Sequence, residues 1–325
     1  MSAPTKLPEC WGHRGASAAF PENTLASFER AIRDGAEGIE SDVHVSLDKV
    51  VIMFHDPTLD RTTNGTGNIR DKKWYGPDGM EHLRTIKEPQ QSIPTFAETV
   101  ALLMKPENRH VTFNVDVKVF SDPLELFTLM HAIISGQPAW ETDLAPRILL
   151  GLWHPRFIGP AKTLLPYCRR SFIGRSTWLG RQYFWDAVEV FSINFAALAS
   201  WEGQSFREEC KKAGKKIMAW TVNDPAEMIE CVRMRVDVIL TDKTKTWLDL
   251  RETLRKDYDG VMAQYSRTFL WTTPRYYFPT RKMWELLIQY YLQKYGGPFD
   301  AVTTAEESAS VGIAQAGPAS ASAKA

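Results

Sequence analysis

Between Cys10 and Thr241, short runs rich in β-formers alternate with stretches patterned as helices. Eight strand candidates centre on Cys10–Gly12, Gly38–Val43, Val111–Val117, Ile148–Leu152, Ser171–Gly174, Val188–Asn194, Lys216–Thr221 and Val236–Thr241. Helical patterns occupy Thr24–Asp34, Thr95–Met104, Pro123–Ile134, Pro155–Leu165, Trp201–Ala213 and Pro225–Arg233. Strands joined through helices run parallel, because a parallel neighbour needs a crossover. Eight such units over roughly 240 residues fit a (β/α)8 TIM barrel. A doubly wound open sheet usually has a glycine-rich turn after its first strand, and none follows here.

Three segments depart from the repeat. Val50–His55 reads as a ninth strand, returning antiparallel above the second and carrying His55 back over Glu40 and Asp42. Thr58–Ser92 is a long insertion between the second strand and its helix, and such loops shape sites rather than cores. After the barrel, assigned residues 8–250, comes an aromatic-rich helical extension at 251–300. An Ala/Ser/Gly-rich tail at 301–325 has no core-forming pattern and is expected to be disordered.

The ends of the predicted strands concentrate chemistry. His13-Arg14 follows the first, Glu40 and Asp42 end the second, and Asp116 and Lys118 end the third. Trp220 ends the seventh and Asp242 the eighth. The i, i+2 spacing of Glu40 with Asp42, and of Asp116 with Lys118, puts both side chains of each pair on one strand face. In a barrel, these C-terminal ends form the active site. Glu40, Asp42 and Asp116 therefore make a candidate oxygen site for one hard divalent cation (Mg, Ca or Mn). Arg14 and Lys118 are candidate phosphate contacts. His13 and His55 titrate near neutrality and suit an acid/base pair. His44 is expected to point away from the mouth, and Glu22 and Asn23 to cap the first helix and brace the His13 loop.

Lys+Arg and Asp+Glu number 39 each, so nothing suggests a nucleic-acid partner. The four cysteines, Cys10, Cys168, Cys210 and Cys231, form no close pair and read as thiols of a reducing compartment. No apolar run reaches the ~18 residues of a membrane span.

In order along the chain, His13-Arg14, Glu40-Ser41-Asp42, His55-Asp56, Asp116-Val117-Lys118, Trp220–Asn223 and Thr241–Lys243 resemble the motifs of the glycerophosphodiester phosphodiesterase family. The resemblance covers roughly Trp11 to Lys243. It implies a metal-dependent phosphodiesterase in which a vicinal hydroxyl of the substrate attacks phosphorus and water then opens the cyclic phosphate. It supports His13 and His55 as catalytic, Arg14 and Lys118 on phosphate, Glu40, Asp42 and Asp116 on metal, and Trp220 on substrate. Many members carry Glu-x-Lys where this chain has Asp116-Val117-Lys118, a shortening by one methylene that bears on metal affinity. Related sphingomyelinase D-type barrels also use Asp-x-Lys.

The extension widens the choice of substrate. Thr280–Tyr295 reads as a helix with a narrow polar face of Lys282, Glu285, Gln289 and Gln293, and aromatic or aliphatic residues elsewhere. Aromatics interleaved with Arg and Lys suit a bilayer interface. Trp178, Leu179, Tyr183, Phe184 and Trp185 are expected to rim the mouth. The whole chain is similar to fungal phosphatidylglycerol-specific phospholipases C. That similarity implies a phospholipid substrate and an intracellular enzyme peripheral to a membrane or lipid droplet. Soluble glycerophosphodiesters are the alternative, followed by phospholipase D-like action on lysolipids and by an inactive membrane-binding scaffold.

Overall fold

Strand β1 (Glu9–Gly12) lies between β2 (Gly38–Val45) and β9 (Val238–Thr241), and this double pairing closes the sheet. The computed structural model describes residues 6–301. Around the closed sheet, β2 pairs with β4 (Thr112–Val117), followed by β5 (Ile148–Leu152), β6 (Arg169–Gly174), β7 (Val190–Asn194) and β8 (Lys216–Trp220). All eight are parallel, as the alternation predicts. The remaining strand, β3 (Val51–Met53), runs antiparallel to Val43–Val45 and forms the expected arm.

Alternation along each strand sorts the interior. Ile39, Val43, Val115 and Phe191 turn outward into one large core shared with the helices. A separate cluster of Trp11, Leu149, Val190, Met218, Val238 and Leu240 fills the barrel. Above it the inner face becomes polar, with Glu40 level with Asn114 and Asp42 level with Asp116 across β2 and β4.

The first helix, Leu25–Asp34, starts at Thr24, whose hydroxyl accepts from the Ser27 N–H. Thr24 is thus the cap, and Glu22 and Asn23 are free for other partners. Pro155–Leu165 is helical in two pieces, a 3-10 turn at Pro155–Phe157 and an α-helix at Ile158–Leu164. The insertion folds on its own small core of Leu59, Ile69, Trp74 and Met80 against Ile52 and Phe54 of the arm.

Helix Thr244–Lys256 buries Trp247 and Leu254, so it runs across the expected boundary at residue 250 as the barrel's last outer helix. The chain then crosses the C-terminal mouth to the helix Phe278–Gly296. Arg275 pairs with Glu227, and Arg267 with buried Glu230, to hold the near end. At the far end His154 donates from Nε2 to the Gly297 carbonyl (3.0 Å) and Phe299 lies against the ring. Residues 302–325, most of the predicted tail, lie outside the described residues.

His154 makes this strap acid-sensitive. Its Nδ1 accepts from the Arg156 N–H, so the buried ring is used in its neutral form. Burial lowers its pKa to about 4. A lowered folded-state value means that the stability is present above the unfolded value near 6.5 and is lost as pH falls toward 4. The change is at most roughly 3 kcal/mol. His154→Gln keeps a donor for Gly297 and should reduce the fall in melting temperature between pH 6.5 and 4. Parallel curves for native protein and variant would remove His154 from this role.

Candidate active site

The turn after β1 aims the first two candidate residues. Arg14 and Gly15 have left-handed backbones (φ 54° and 77°). A Cβ at Gly15 would stand 2.4 Å from the Ser27 hydroxyl, so only glycine lets this turn lie on the first helix. The Arg14 N–H donates to Glu40 Oε2 (2.8 Å), tying the turn to β2.

His13 Nδ1 meets Asp242 Oδ1 at 2.6 Å. Asp242 also accepts from the Ser17 hydroxyl (2.8 Å) and from the Asn223 amide. These bonds fix the ring and leave Nε2 without a protein partner among the described residues. His55 is held in a similar way. Its Nδ1 meets Asp56 Oδ1 at 2.7 Å, and its carbonyl accepts from His44 Nε2 at 3.2 Å. His44 therefore does not turn away as expected; it shares the face of Glu40 and Asp42 and stacks on Phe120.

Arg61 donates to both Asp56 and Glu22, and Glu22 accepts from Arg14 (2.9 Å). The chain of contacts joins the two histidine-bearing segments. Asn23 accepts from Ser41 and donates to Asp42 Oδ2 (3.0 Å), so it orients a carboxylate rather than capping a helix.

One oxygen each from Glu40, Asp42 and Asp116 can be chosen so that all lie within 4.8 Å of one another, and all three residues are buried. Lys118 Nζ bridges Asp42 (2.5 Å) and Asp116 (2.9 Å). The shorter Asp116 is held from its other side by the Trp153 indole N–H (2.7 Å), a contact that sequence reading did not anticipate. Burial, then the Asp42 charge, push Glu40 up to about 8. Burial also raises Asp116, with Lys118 opposing. Burial disfavours the Asp42 anion too, but Lys118, His55 and Arg14 hold its pKa well below the usual carboxylate range. Lys118 and Arg14 thus fall short of balancing three buried carboxylates, and a hard cation on their oxygens fits the remaining deficit. The Asn114 amide and Ser192 hydroxyl face the same cavity without a protein partner, as a polar ligand site requires.

The histidines are pushed in opposite directions. Burial disfavours charged His13, but the Asp242 bond and the Glu40 charge outweigh it and raise the pKa. For His55, burial dominates and Lys118 adds to it against Asp42, so the value is lowered. Imidazoles driven apart in this way suit a proton donor and a proton acceptor. Asp242→Asn should lower turnover by about 10²-fold. It should also move the His13 limb of the pH–rate profile toward acid, because the stabilising carboxylate is lost. An unmoved limb would separate Asp242 from His13 ionisation.

All eight candidate residues, His13, Arg14, Glu40, Asp42, His55, Asp116, Lys118 and Trp220, line one cavity of about 190 Å³. Trp220 donates its indole N–H to the Ser192 carbonyl (2.9 Å) and meets Trp153 edge-on. The Arg175 guanidinium lies 5.3 Å from its ring and has no ion pair among the described residues. Arg175 was missed because a lone arginine after β6 carries no motif. It lines both this cavity and a neighbouring pocket of about 390 Å³. Of the residues expected at the rim, Trp178 is exposed, whereas Leu179 and Phe184 are buried.

A profile of the "Glycerophosphoryl diester phosphodiesterase family" matches residues 13–246. The chain belongs to that family. Among its relatives, the "Glycerophosphodiester phosphodiesterase" of Caldanaerobacter subterraneus is 26% identical over 249 residues, spanning 73% of this chain and 95% of the relative. Bacillus subtilis YhdW is 42% identical over 247 residues, spanning 71% and 92%. The fold is that of an Oleispira antarctica phosphodiesterase solved with the product sn-glycerol-3-phosphate, with TM-score 0.62 and 24% identity over 75% of this chain and 96% of that one. The family assignment makes this protein a phosphodiesterase and accounts for the closed barrel. The matched segment ends before the aromatic extension.

Proposed function

We propose that this family member cleaves phosphatidylglycerol to diacylglycerol and glycerol phosphate. The observation carrying the reading is the orientation of the C-terminal helix beside the mouth. Of its polar stripe, Glu285 and Gln289 are partly covered and Gln293 is exposed, while Met283, Leu286, Leu287 and Tyr290 are about half exposed or more. The helix packs inward through Ile288 and Leu292 yet leaves a band of large apolar side chains in solvent beside the mouth. Exposed Trp271, Tyr277 and Phe278 extend the apolar area, and exposed Arg267 and Arg275 flank it. Such a surface suits peripheral contact with an anionic membrane. No helix among the described residues is long and apolar enough to cross a membrane.

In this reading Glu40, Asp42 and Asp116 hold one divalent cation, which supplies charge stabilisation at the phosphoryl oxygens when bound. Arg14 and Lys118 contact the same phosphate. One of His13 and His55 takes the proton of the glycerol 2-hydroxyl as its oxygen bonds to phosphorus. The other gives a proton to the departing diacylglycerol oxygen. Water then opens the cyclic ester with the proton transfers reversed. The first step is intramolecular and needs little further ordering. Trp220 offers an indole face to the glycerol carbons.

Soluble glycerophosphodiesters are the second reading, favoured by the family match and by the Oleispira product complex. Product analysis with divalent cation and a chelator control separates them. Phosphatidylglycerol vesicles should yield diacylglycerol, and Leu287→Ser with Tyr290→Ser should lower that rate at least about tenfold by removing inserted apolar surface. Choline and glycerol phosphate from glycerophosphocholine, with vesicles untouched, would establish the soluble-diester reading instead.

A further inference from the structure

A cleft of about 250 Å³ runs from His55 along the C-terminal helix. His55, Lys118, Trp153 and Ile288 line both this cleft and the catalytic cavity, so the two adjoin. Farther out, Pro57, Val119 and Phe120 form one wall, and Tyr291 and Leu292 the other. Phe120 meets Tyr291 edge-on at 6.4 Å and closes the walls together. Beyond the shared inner end the Tyr291 phenol is the sole polar side-chain group. Such a lining offers water few partners and favours an apolar ligand. Ile288, Tyr291 and Leu292 lie beyond residue 246, so the family-matching segment does not build this cleft alone. Their helix also carries the exposed Leu287 and Tyr290, and an apolar surface therefore adjoins the cleft.

We propose that the cleft binds the glycerol-proximal carbons of the acyl chains on the leaving alcohol while its phosphate occupies the catalytic cavity. This rests on the lipid reading above and makes acyl recognition a property of the active site, separate from membrane docking. Lys118 and His55 stand where the cleft meets the catalytic cavity, so a phosphate held at Lys118 lies at the cleft's inner end.

The test uses lipids that remain monomeric, so no bilayer takes part. The full chain with divalent cation would be given glycerophosphoglycerol, dibutanoyl phosphatidylglycerol and dihexanoyl phosphatidylglycerol below its micelle concentration. Burying about two more methylenes should raise kcat/KM about tenfold from the dibutanoyl to the dihexanoyl lipid. Tyr291 lines the cleft and not the catalytic cavity. Tyr291→Asp should therefore flatten the chain-length dependence and leave glycerophosphoglycerol turnover in place. Equal rates on both lipids with native protein would overturn the cleft assignment while the lipid reading stood. A Tyr291→Asp variant slowed equally on all three substrates would overturn it too. Turnover of glycerophosphoglycerol alone would overturn the lipid reading and the cleft with it. If the variant does not fold, the native chain-length series decides by itself.

Discussion

His13→Ala and His55→Ala each lower turnover of a glycerophosphodiester by about 10²- to 10⁴-fold, the usual scale for loss of a positioned acid or base, with little change in melting temperature. The expectation of intact folding comes from position. Each ring is anchored by one carboxylate, Asp242 or Asp56, that has other partners when the ring is gone. Ser17 and Asn223 still satisfy Asp242, and Arg61 still satisfies Asp56. Truncation thus strands no buried charge, the usual source of a large stability loss. The two steps use both imidazoles in exchanged roles, so the double variant should be scarcely slower than either single one. Turnover within about tenfold of native in either single variant would remove that histidine from proton transfer.

Lys118→Met is expected to do the opposite to stability. Its ammonium is buried between Asp42 and Asp116, and both carboxylates lose their closest positive partner on substitution. Breaking a buried ion pair from one side costs about 3–5 kcal/mol. Without divalent cation the melting temperature should fall by on the order of 10 °C. A bound cation restores the missing charge, so titration with Ca or Mg should raise the variant's melting temperature more than the native protein's. Turnover should stay at least about 10²-fold down even at saturating cation, because a charge on the phosphate is lost. Equal cation-induced shifts in the two proteins would mean that Lys118 does not compensate the metal carboxylates.

The barrel was legible because its signal is repetitive. Eight apolar strand runs with helices between them leave little choice of sheet. The carboxylate pairs were legible because strand period two fixes their face once the strand is known, as with Glu40 and Asp42. Single residues whose roles come from three-dimensional neighbours were not. Trp153 reaches Asp116 from the next strand, and Arg175 reaches Trp220 from two strands away. Neither spacing exists in one dimension. Asn23 was taken for a cap because caps are local, yet its partners are on β2. The C-terminal helix, read at Thr280–Tyr295, spans Phe278–Gly296, but its pattern leaves open which of its sides is covered. Sequence supplies the polar stripe, and only packing decides that Glu285 is covered while Gln293 is exposed.

The strand order also divides labour within the molecule. β1, β2 and the antiparallel β3 are neighbours in the sheet and consecutive in the chain. They and their turns carry His13, Arg14, Glu40, Asp42 and His55, so most of the reacting centre comes from one short continuous segment. The opposite bank of the mouth comes from later strands and the strap, which contribute Trp153, Arg175, Trp220 and Ile288. In the proposed function, β1 to β3 thus supply most of the reacting groups, β4 adds Asp116 and Lys118, and the strap adds only to the substrate-facing wall. If the strap selects the substrate as proposed, grafting another strap onto this barrel would change what is cleaved without rebuilding how it is cleaved.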